Sequence, residues 1–466
     1  MSRNHDAEPT SQPGNQAPLW RWRALCEALG LPPADGPNVT GVSIDSRTTK
    51  PGDLFIALTG DPGPRFQVSY RSQRDGHDFI DAAVAAGAVA VMSHDGRPRQ
   101  VPQLTVADTL YGLWALARAA RQRLDCPVVA VTGSSGKTTL KSYLAAALDA
   151  FATDGSLNNH LGVPLSLVRT PADATAAVYE IGMNHPGEIA PLAELARPNV
   201  AVVLNVLEVH REYFSDPDGI RKEKLSIHKG LDDKGVLVLE ESIDAAGVAE
   251  RIPLRRFGAS GDADVALLDQ DADTARYRVG AETVTAHVPG GGTHRAMTVA
   301  AVLCVLQALG RPLGPALTLP DALIPAGRGR QHTVAGITVI DDSYNANPDS
   351  VRAALRGLAA TAARRRFAVL GEMLELGEAS AARHAALATA TDGIDGIFCV
   401  GAGMQALQQA LPAGRNLGWR LEADDDLLHE LKQRLTAGDV VLVKGSNRVF
   451  WTRRWAQRLL EHLGTA

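Results

Sequence analysis

At 466 residues the chain has room for about three domains of about 150 residues, each with its own hydrophobic core. Hydrophobic residues at 45% and charged residues at 21% exclude a wholly disordered or fibrous protein. With 47 Lys plus Arg against 52 Asp plus Glu, the formal charge is −5, which argues against a chain built to neutralise nucleic-acid phosphates.

Residues 1–18 are polar and Pro-containing, lack the apolar core of a signal peptide, and read as a disordered tail. A helical run over 19–29 leads to the apolar segments VTGVSID and DLFIAL, separated by a turn at Pro51 and Gly52. Residues 60–76 carry Pro, Gly, Ser and Arg without periodicity and read as a long loop before a helix over 78–86. This first domain is expected over 19–105. From Asp108 an amphipathic helix runs toward Arg123. The segment PVVAVTG then reads as a buried parallel strand with the helix TTLKSYLAAAL behind it. AAVYEIG, GEIAPLAELA, NVAVVLNV, DGIRKEKLSIHKGL and GVLVLE continue the strand–helix alternation of a parallel α/β sheet, giving a central domain over 106–318. A second alternating set, from ITVIDDS through RFAVLGEM and GIFCVG to DVVLVKGS, predicts a Rossmann-like domain over 319–466. The basic run Arg364 to Arg366 reads as a solvated corner. Cys26, Cys126, Cys304 and Cys399 are scattered, with neither metal-knuckle nor disulfide spacing, which fits a reducing cytoplasm. No apolar stretch approaches the ~18 to 20 residues of a membrane span.

The strongest chemical signal is VVAVTGSSGKTT. Gly133, Ser134, Ser135, Gly136, Lys137, Thr138 and Thr139 lie between a strand and a helix, with fewer residues between the glycines than the general P-loop pattern has. Glycines let the backbone wrap phosphate oxygens, the helix N-terminus adds positive potential, Lys137 reaches the terminal phosphates, and a Thr hydroxyl can hold Mg²⁺. The segment is expected to bind ATP.

From here the chain resembles the Mur ligases, ATP-dependent amide-forming enzymes of peptidoglycan assembly. NNHLGVP (158–164), EIGMNHPGEI (180–189) and NVLEVH (205–210) are similar to successive segments of that family's central domain. GRGR (327–330), DDSYNANPDS (341–350), GEMLELGE (371–378) with His384, and VKGS (443–446) are similar to its C-terminal domain. EIGMNHPGEI, DSYNANP and GEMLELG are the versions typical of the branch that adds D-alanyl-D-alanine to UDP-N-acetylmuramoyl-tripeptide. SIDSRTTKPGDLFIAL and GHDF resemble that branch's UDP-sugar-binding domain. The resemblance implies three α/β domains with the active site in the clefts between them, acting as a monomer on small-molecule substrates without nucleic-acid or membrane partners.

Amide formation needs an activated carboxylate, so the γ-phosphoryl group passes to it as an acyl phosphate before the amine attacks. The resemblance makes Lys137, Glu180, His210 and Lys224 the catalytic set, with Thr138, Glu180, His210 and Lys224 holding two Mg²⁺ ions. Lys224 would serve as its CO₂ carbamate, since an ammonium repels a cation; read from its helix alone, it is a solvent-facing lysine paired with its neighbours. Arg328 is matched to the arginine at the ATP phosphates and Asp342 to the acid at the ribose. Tyr344, Asn345, Ala346 and Asn347 are matched to the wall receiving the dipeptide, with Lys444 and Ser446 in the same cleft. Ser43, Asp45, Ser46, Arg47 and Asn159 are matched to the UDP-linked substrate.

Three departures stand out. Where the family carries GxHNxxN, this chain has GTHRAMTVAA: His294 is kept, but Arg295 and Thr298 replace the asparagines that meet adenine, and Arg295 is expected to stack on the base. The loop over 61–74 is longer than usual, and GVLVLEES lacks the usual NADN. A paralogue acylating another amine is therefore an alternative, discriminated by binding of UDP-muramoyl peptides, as is a nucleotide switch that binds ATP without amine-dependent turnover.

Overall fold

The computed structural model describes residues 17–62, 66, 73–207, 214, 217–248, 250 and 252–465. His210, most of the 61–74 loop and residues 1–16 of the expected tail lie outside them. By compactness the described residues form two units, one holding those within 17–62, 73–124 and 167–172 and the other the remainder.

The first unit carries a fully parallel four-stranded sheet: β1 (Gly41–Ser43), β2 (Asp53–Ile56), β3 (Ala90–Ser93) and β4 (Gln103–Thr105), in that spatial order. Phe55, Ala57, Ile80, Ala83, Ala88 and Val91 form its core. The helix Thr109–Gln122 starts where Asp108 accepts the Tyr111 amide, and it buries Leu113, Trp114, Leu116 and Ala117. Within the same unit, Arg123 lies 3.8 Å over the Trp20 ring, and the indole donates to the Val168 carbonyl at 2.9 Å.

The second unit holds two sheets. One contains β5 (Val128–Thr132), β6 (Ala177–Glu180), β7 (Val200–Val203), β8 (Val236–Glu240), β9 (Leu254–Gly258), β10 (Val265–Asp271), β11 (Thr274–Val279) and β12 (Glu282–His287), in the order β12-β11-β10-β9-β8-β7-β5-β6. The run β6 to β10 is parallel, as expected. The antiparallel ribbon β10-β11-β12 was not anticipated. Its turns are tight: Asp271 pairs with Thr274 across Ala272 at φ 46°, and Val279 pairs with Glu282 across Gly280 at φ 59°. The helix Thr293–Ala308 lies deep in this body, with every residue from Val299 to Leu306 buried, and the Tyr277 hydroxyl donates to its Ala296 carbonyl at 2.9 Å.

The last sheet contains β13 (Arg330–Val334), β14 (Ile337–Asp342), β15 (Arg366–Gly371), β16 (Gly396–Val400), β17 (Asn416–Arg420) and β18 (Val440–Lys444), ordered β13-β14-β18-β15-β16-β17. Only β13 runs antiparallel, joined to β14 by a two-residue turn with positive φ at both Ala335 and Gly336. The three α/β sheets fall in the order the sequence predicts. Arg364, Arg365 and Arg366 bond to Thr436, Asp439 and the Thr361 carbonyl of their own fold. Among the described residues, no helix is long and apolar enough to cross a membrane.

Candidate functional site

The chain crosses from β5 to β6 on one side and then to β7 on the other, so strand order reverses at β5. Parallel pairing puts the carboxyl ends of all three strands on one edge, where such folds bind ligands. The loop Gly133–Gly136 leaves β5 there and opens the helix Lys137–Leu148, with Gly136 left-handed at φ 77° as its N-cap. That backbone conformation favours glycine, and a Cβ there would lie 2.8 Å from the Leu204 Cδ2, which would have to shift. Just past β7, the Asn205 carboxamide oxygen accepts the Ser134 and Ser135 amides at 2.9 and 3.0 Å, and its nitrogen donates to the Ser135 carbonyl at 3.2 Å. This clamps the loop and leaves the first-turn amides of the helix for an anion. Lys137 Nζ arches back to the Gly133 carbonyl at 2.9 Å. Removal from water and the nearby Arg328 charge lower the Lys137 pKa, against the attraction of Glu180.

Glu180 ends β6 and is buried. Thr138 donates to its Oε2 at 2.8 Å; Ser156 and Asn158 donate to its Oε1 at 2.7 and 2.8 Å. Burial pushes its pKa up, but Lys137, the Ser156 hydroxyl, Arg328 and Lys141 outweigh burial and hold the carboxyl below its ordinary value. Lys141 ties the neighbouring turn down through the Thr153 and Gly155 carbonyls at 2.6 and 2.5 Å. A hydroxyl and an ionised carboxylate converging beside a phosphate loop are hard oxygen donors that suit Mg²⁺, which takes few protein ligands and completes its shell with phosphate and water. No group of three or more His, Cys, Asp or Glu side chains gathers among the described residues.

Lys224, on the helix Pro217–Leu225, is 2% exposed, and its amine makes no hydrogen bond or ion pair with a described residue. The alternative reading of Lys224 from its helix alone, as a solvent-facing lysine, does not hold. Burial, then the charge of Lys137, hold its pKa well below the ordinary lysine value, with Glu223 opposing. Glu223 itself holds the start of the helix Ile189–Ala196, accepting the Gly187 and Ile189 amides at 2.8 and 2.9 Å.

On the C-terminal side, Arg328 lies 4.1 Å over the Tyr344 ring, which meets Trp451 edge-on at 5.3 Å. Lys444 is buried and donates to Asp342 at 2.7 Å and to the Asn345 carbonyl at 3.1 Å. Ala346 is buried and Asn345 exposed. Asn347 caps the helix Pro348–Ala360 in a reciprocal box with Ser350, and the Ser446 hydroxyl accepts the Leu374 amide at 2.9 Å, so both side chains have structural partners. His294 is exposed, and Thr298 bonds back to its carbonyl at 3.0 Å. Arg295 is not an open platform for a base: it is 7% exposed, with its guanidinium hydrogen-bonded to backbone carbonyls. Asn159, exposed, accepts the Leu161 and Gly162 amides.

In the first unit, Ser43 is buried at the end of β1, and Asp45 accepts a fork from the exposed Arg47 with the Arg47 amide at 3.0 Å. Ser46 is half-buried in the same turn. The Arg47 hydrogen bond, opposed by partial burial, lowers the Asp45 pKa.

Sequence reasoning missed Ser156, Asn158, Asn205 and Lys141. The signal for Asn205 was present: it sits just past β7, which pairs with the phosphate-loop strand β5, where a short amide can reach across.

The Mur ligase middle domain matches residues 131–306, the Mur ligase glutamate ligase domain residues 327–447, and the Mur ligase family catalytic domain residues 38–112. A UDP-N-acetylmuramoyl-tripeptide–D-alanyl-D-alanine ligase of Escherichia coli (strain K12) is 33% identical over 88% of this chain and 92% of its own. The ligase of that name from Bacillus subtilis (strain 168) is 31% identical over 90% and 93%. Among solved structures, MurF from Acinetobacter baumannii superposes with a TM-score of 0.79 at 27% identity, covering 95% of this chain and 99% of that one. MurF ligase from Thermotoga maritima in complex with ADP superposes at 0.75 and 28%, covering 91% and 97%.

Proposed function

This chain belongs to the Mur ligase family, and we propose that it joins D-alanyl-D-alanine to UDP-N-acetylmuramoyl-tripeptide while ATP is hydrolysed to ADP and phosphate. The observation that carries this reading is likeness over nine-tenths of the chain to ligases named for that reaction, one of the related structures holding ADP. The substrate carboxylate attacks the γ-phosphorus, the bond to the β-phosphate oxygen breaks and ADP leaves. The dipeptide amine then attacks the acyl carbon, loses a proton, and expels phosphate. Such chemistry rests on positioning and on charge stabilisation around the phosphates. Lys137 and Arg328 supply positive charge to that group, and the helix Lys137–Leu148 presents its first-turn amides. Thr138 and Glu180 would hold Mg²⁺, which neutralises phosphate charge when bound. Lys224 would hold a second ion as a carbamate, together with His210. A lysine amine kept neutral by burial can attack CO₂, forming an N–C bond and releasing a proton.

On the acceptor side, Tyr344 with Asn345 would receive the dipeptide, while Asp342 meets the ribose and His294 lies near the base. Ser43, Asp45, Ser46 and Arg47 would bind the uridine nucleotide, with Asn159 toward the peptide. The domain limits 19–105, 106–318 and 319–466 go with this reading, as do a monomeric state and a cytoplasmic site of action, where UDP-linked precursors and ATP are at hand. Phosphate release with Mg·ATP and the UDP-linked tripeptide, with and without D-alanyl-D-alanine, tests it: dipeptide-dependent release with a pentapeptide product is expected. Nucleotide binding without that dependence overturns it.

A further inference from the structure

Arg295 lies in the first turn of the helix Thr293–Ala308, and its guanidinium joins two stretches of backbone. Nη1 donates to the Gly290 carbonyl at 2.8 Å and the Gly291 carbonyl at 3.5 Å; Nη2 donates to the Gly329 carbonyl at 2.9 Å and the Arg328 carbonyl at 3.2 Å. The slot exists because two glycines leave it open. A Cβ on Gly290 would sit 2.4 Å from Nη1 and one on Gly329 2.4 Å from Nη2, and both glycines hold positive φ, at 69° and 80°. One end of this clasp belongs to the body of the P-loop sheet, since the Gly290 amide is fixed by Asp321 at 2.8 Å and the Arg295 helix by Tyr277. The other end is the turn that opens the C-terminal sheet. There the Gly329 amide bonds the Asp341 carbonyl at 2.7 Å, the Tyr344 amide bonds the Gly327 carbonyl at 2.9 Å, and the Arg328 side chain stacks on Tyr344. Arg328 in turn lies near enough to Lys137 and Glu180 for its charge to be felt by both.

We propose that Arg295 is a positioning residue whose planar fork fixes the Arg328–Gly329 peptide to the nucleotide-binding body, so that the Arg328 side chain faces the terminal phosphate of ATP. A guanidinium carries five donors in one plane at the end of a long stem, so two of its nitrogens reach carbonyls on opposite sides at once. A lysine ammonium bonds from one point, and an asparagine is too short to span the gap. The inference rests on the ATP-ligase reading for the place of Arg328 at the phosphates, but it needs no acceptor substrate to test.

The experiment measures affinity for Mg·ADP and for the non-hydrolysable ATP analogue AMP-PNP by calorimetry. The proteins are the wild type, Arg295→Asn, Arg295→Lys, Arg328→Ala and the double variant Arg295→Asn with Arg328→Ala, each checked by thermal melting. Loss of a charge-assisted bond to the terminal phosphate predicts about tenfold weaker AMP-PNP binding in Arg295→Asn and Arg328→Ala, with ADP affinity nearly kept. The double variant then binds no worse than Arg328→Ala alone, because Arg295 acts through it. Arg295→Lys, which keeps the charge without the fork, behaves like Arg295→Asn and carries the test if the asparagine variant does not fold. Equal weakening for both nucleotides would make Arg295 a contact to the shared adenosine and overturn the proposal; additive losses or unchanged affinities would do the same. A loss in Arg328→Ala with none in either Arg295 variant sinks the clasp alone. Unchanged affinities in Arg328→Ala sink the clasp together with its premise at the phosphates, whereas failure of dipeptide-dependent turnover bears only on the acceptor reading.

Discussion

Lys444 and Asp342 stand opposite each other on the parallel strands β18 and β14, and the ammonium donates to the carboxylate at 2.7 Å although 102 residues separate them. The lysine side chain is 3% exposed and the aspartate 23%, so water screens the pair from one side only. The same ammonium holds the Asn345 carbonyl, which fixes the segment carrying Tyr344. Lys444→Met leaves Asp342 with its charge uncompensated. Breaking a fully buried pair costs about 3–5 kcal/mol; with Asp342 partly wet, about 2 kcal/mol is expected by chemical denaturation. The KM for ATP is expected to rise more than that for the dipeptide if Asp342 meets the ribose.

The buried Glu180 predicts a pH dependence. Its folded pKa is lower than its unfolded one, so it contributes stability above the ordinary carboxylate value, and this is lost as pH falls through the folded value. Glu180→Gln keeps the shape but leaves donors from Thr138, Ser156 and Asn158 facing an amide. The denaturation midpoint of the variant is expected to lie below that of wild type at pH 7, with the gap narrowing as pH falls below the ordinary carboxylate value.

Asn158 belongs to neither the phosphate loop nor its helix, yet it orients Glu180 through Oε1. Partners that orient a metal-binding carboxylate typically matter about 10- to 100-fold in metal affinity or activity. Asn158→Ala is expected to raise the Mg²⁺ concentration for half-maximal turnover by about that factor, leaving ATP affinity in excess Mg²⁺ nearly unchanged. An equal loss at all Mg²⁺ concentrations would refute it.

How far the sequence reaches is visible in these residues. VVAVT and AVYE read as strands because short apolar runs bounded by turn residues suit a sheet covered on both faces, and Asp108 with its helix is a start signal in plain view. The ribbon β10–β12 escaped notice because its turns, Ala272-Asp273 and Gly280-Ala281, lack an Asn-Gly pair, which left the lone Gly280 and the alternation of Ala275, Tyr277 and Val279 as cues. Arg295 was read as a nucleotide contact because sequence registers position, not what a long side chain meets; its partners are carbonyls, which no motif encodes. Lys224 reads as surface in RKEKLSIHKG, since its helix carries Arg221, Lys222 and Glu223 beside it, and only the folded packing buries it.

Tyr143 offers a test of packing alone. It is 0% exposed on the helix Lys137–Leu148, and its hydroxyl has no hydrogen-bond partner among the described residues. Burial, with Arg295 opposing, pushes its pKa up to about 12. An unmade hydrogen bond on a buried hydroxyl costs about 1–3 kcal/mol. Tyr143→Phe is therefore expected to leave stability unchanged or to raise it by about 1 kcal/mol, with turnover kept; a drop of that size in the denaturation midpoint would reveal a partner for the hydroxyl.

Lys224 should separate stability from activity. A buried amine without a partner among the described residues penalises the fold whenever it is protonated, and apolar bulk of similar length removes that penalty. Lys224→Met is expected to melt higher than wild type and to lose dipeptide-dependent turnover. The sign with pH follows from the lowered folded pKa. Between that value and the ordinary lysine value the folded chain binds fewer protons than the unfolded one, so wild-type stability rises with pH across this window and the advantage of Lys224→Met shrinks. If the amine carries CO₂, ¹³C-labelled bicarbonate gives the wild type a carbamate carbon resonance that Lys224→Met lacks. Higher stability without that resonance would keep the buried amine and discard the carbamate, whereas a destabilised methionine variant would mean that the ammonium has a partner.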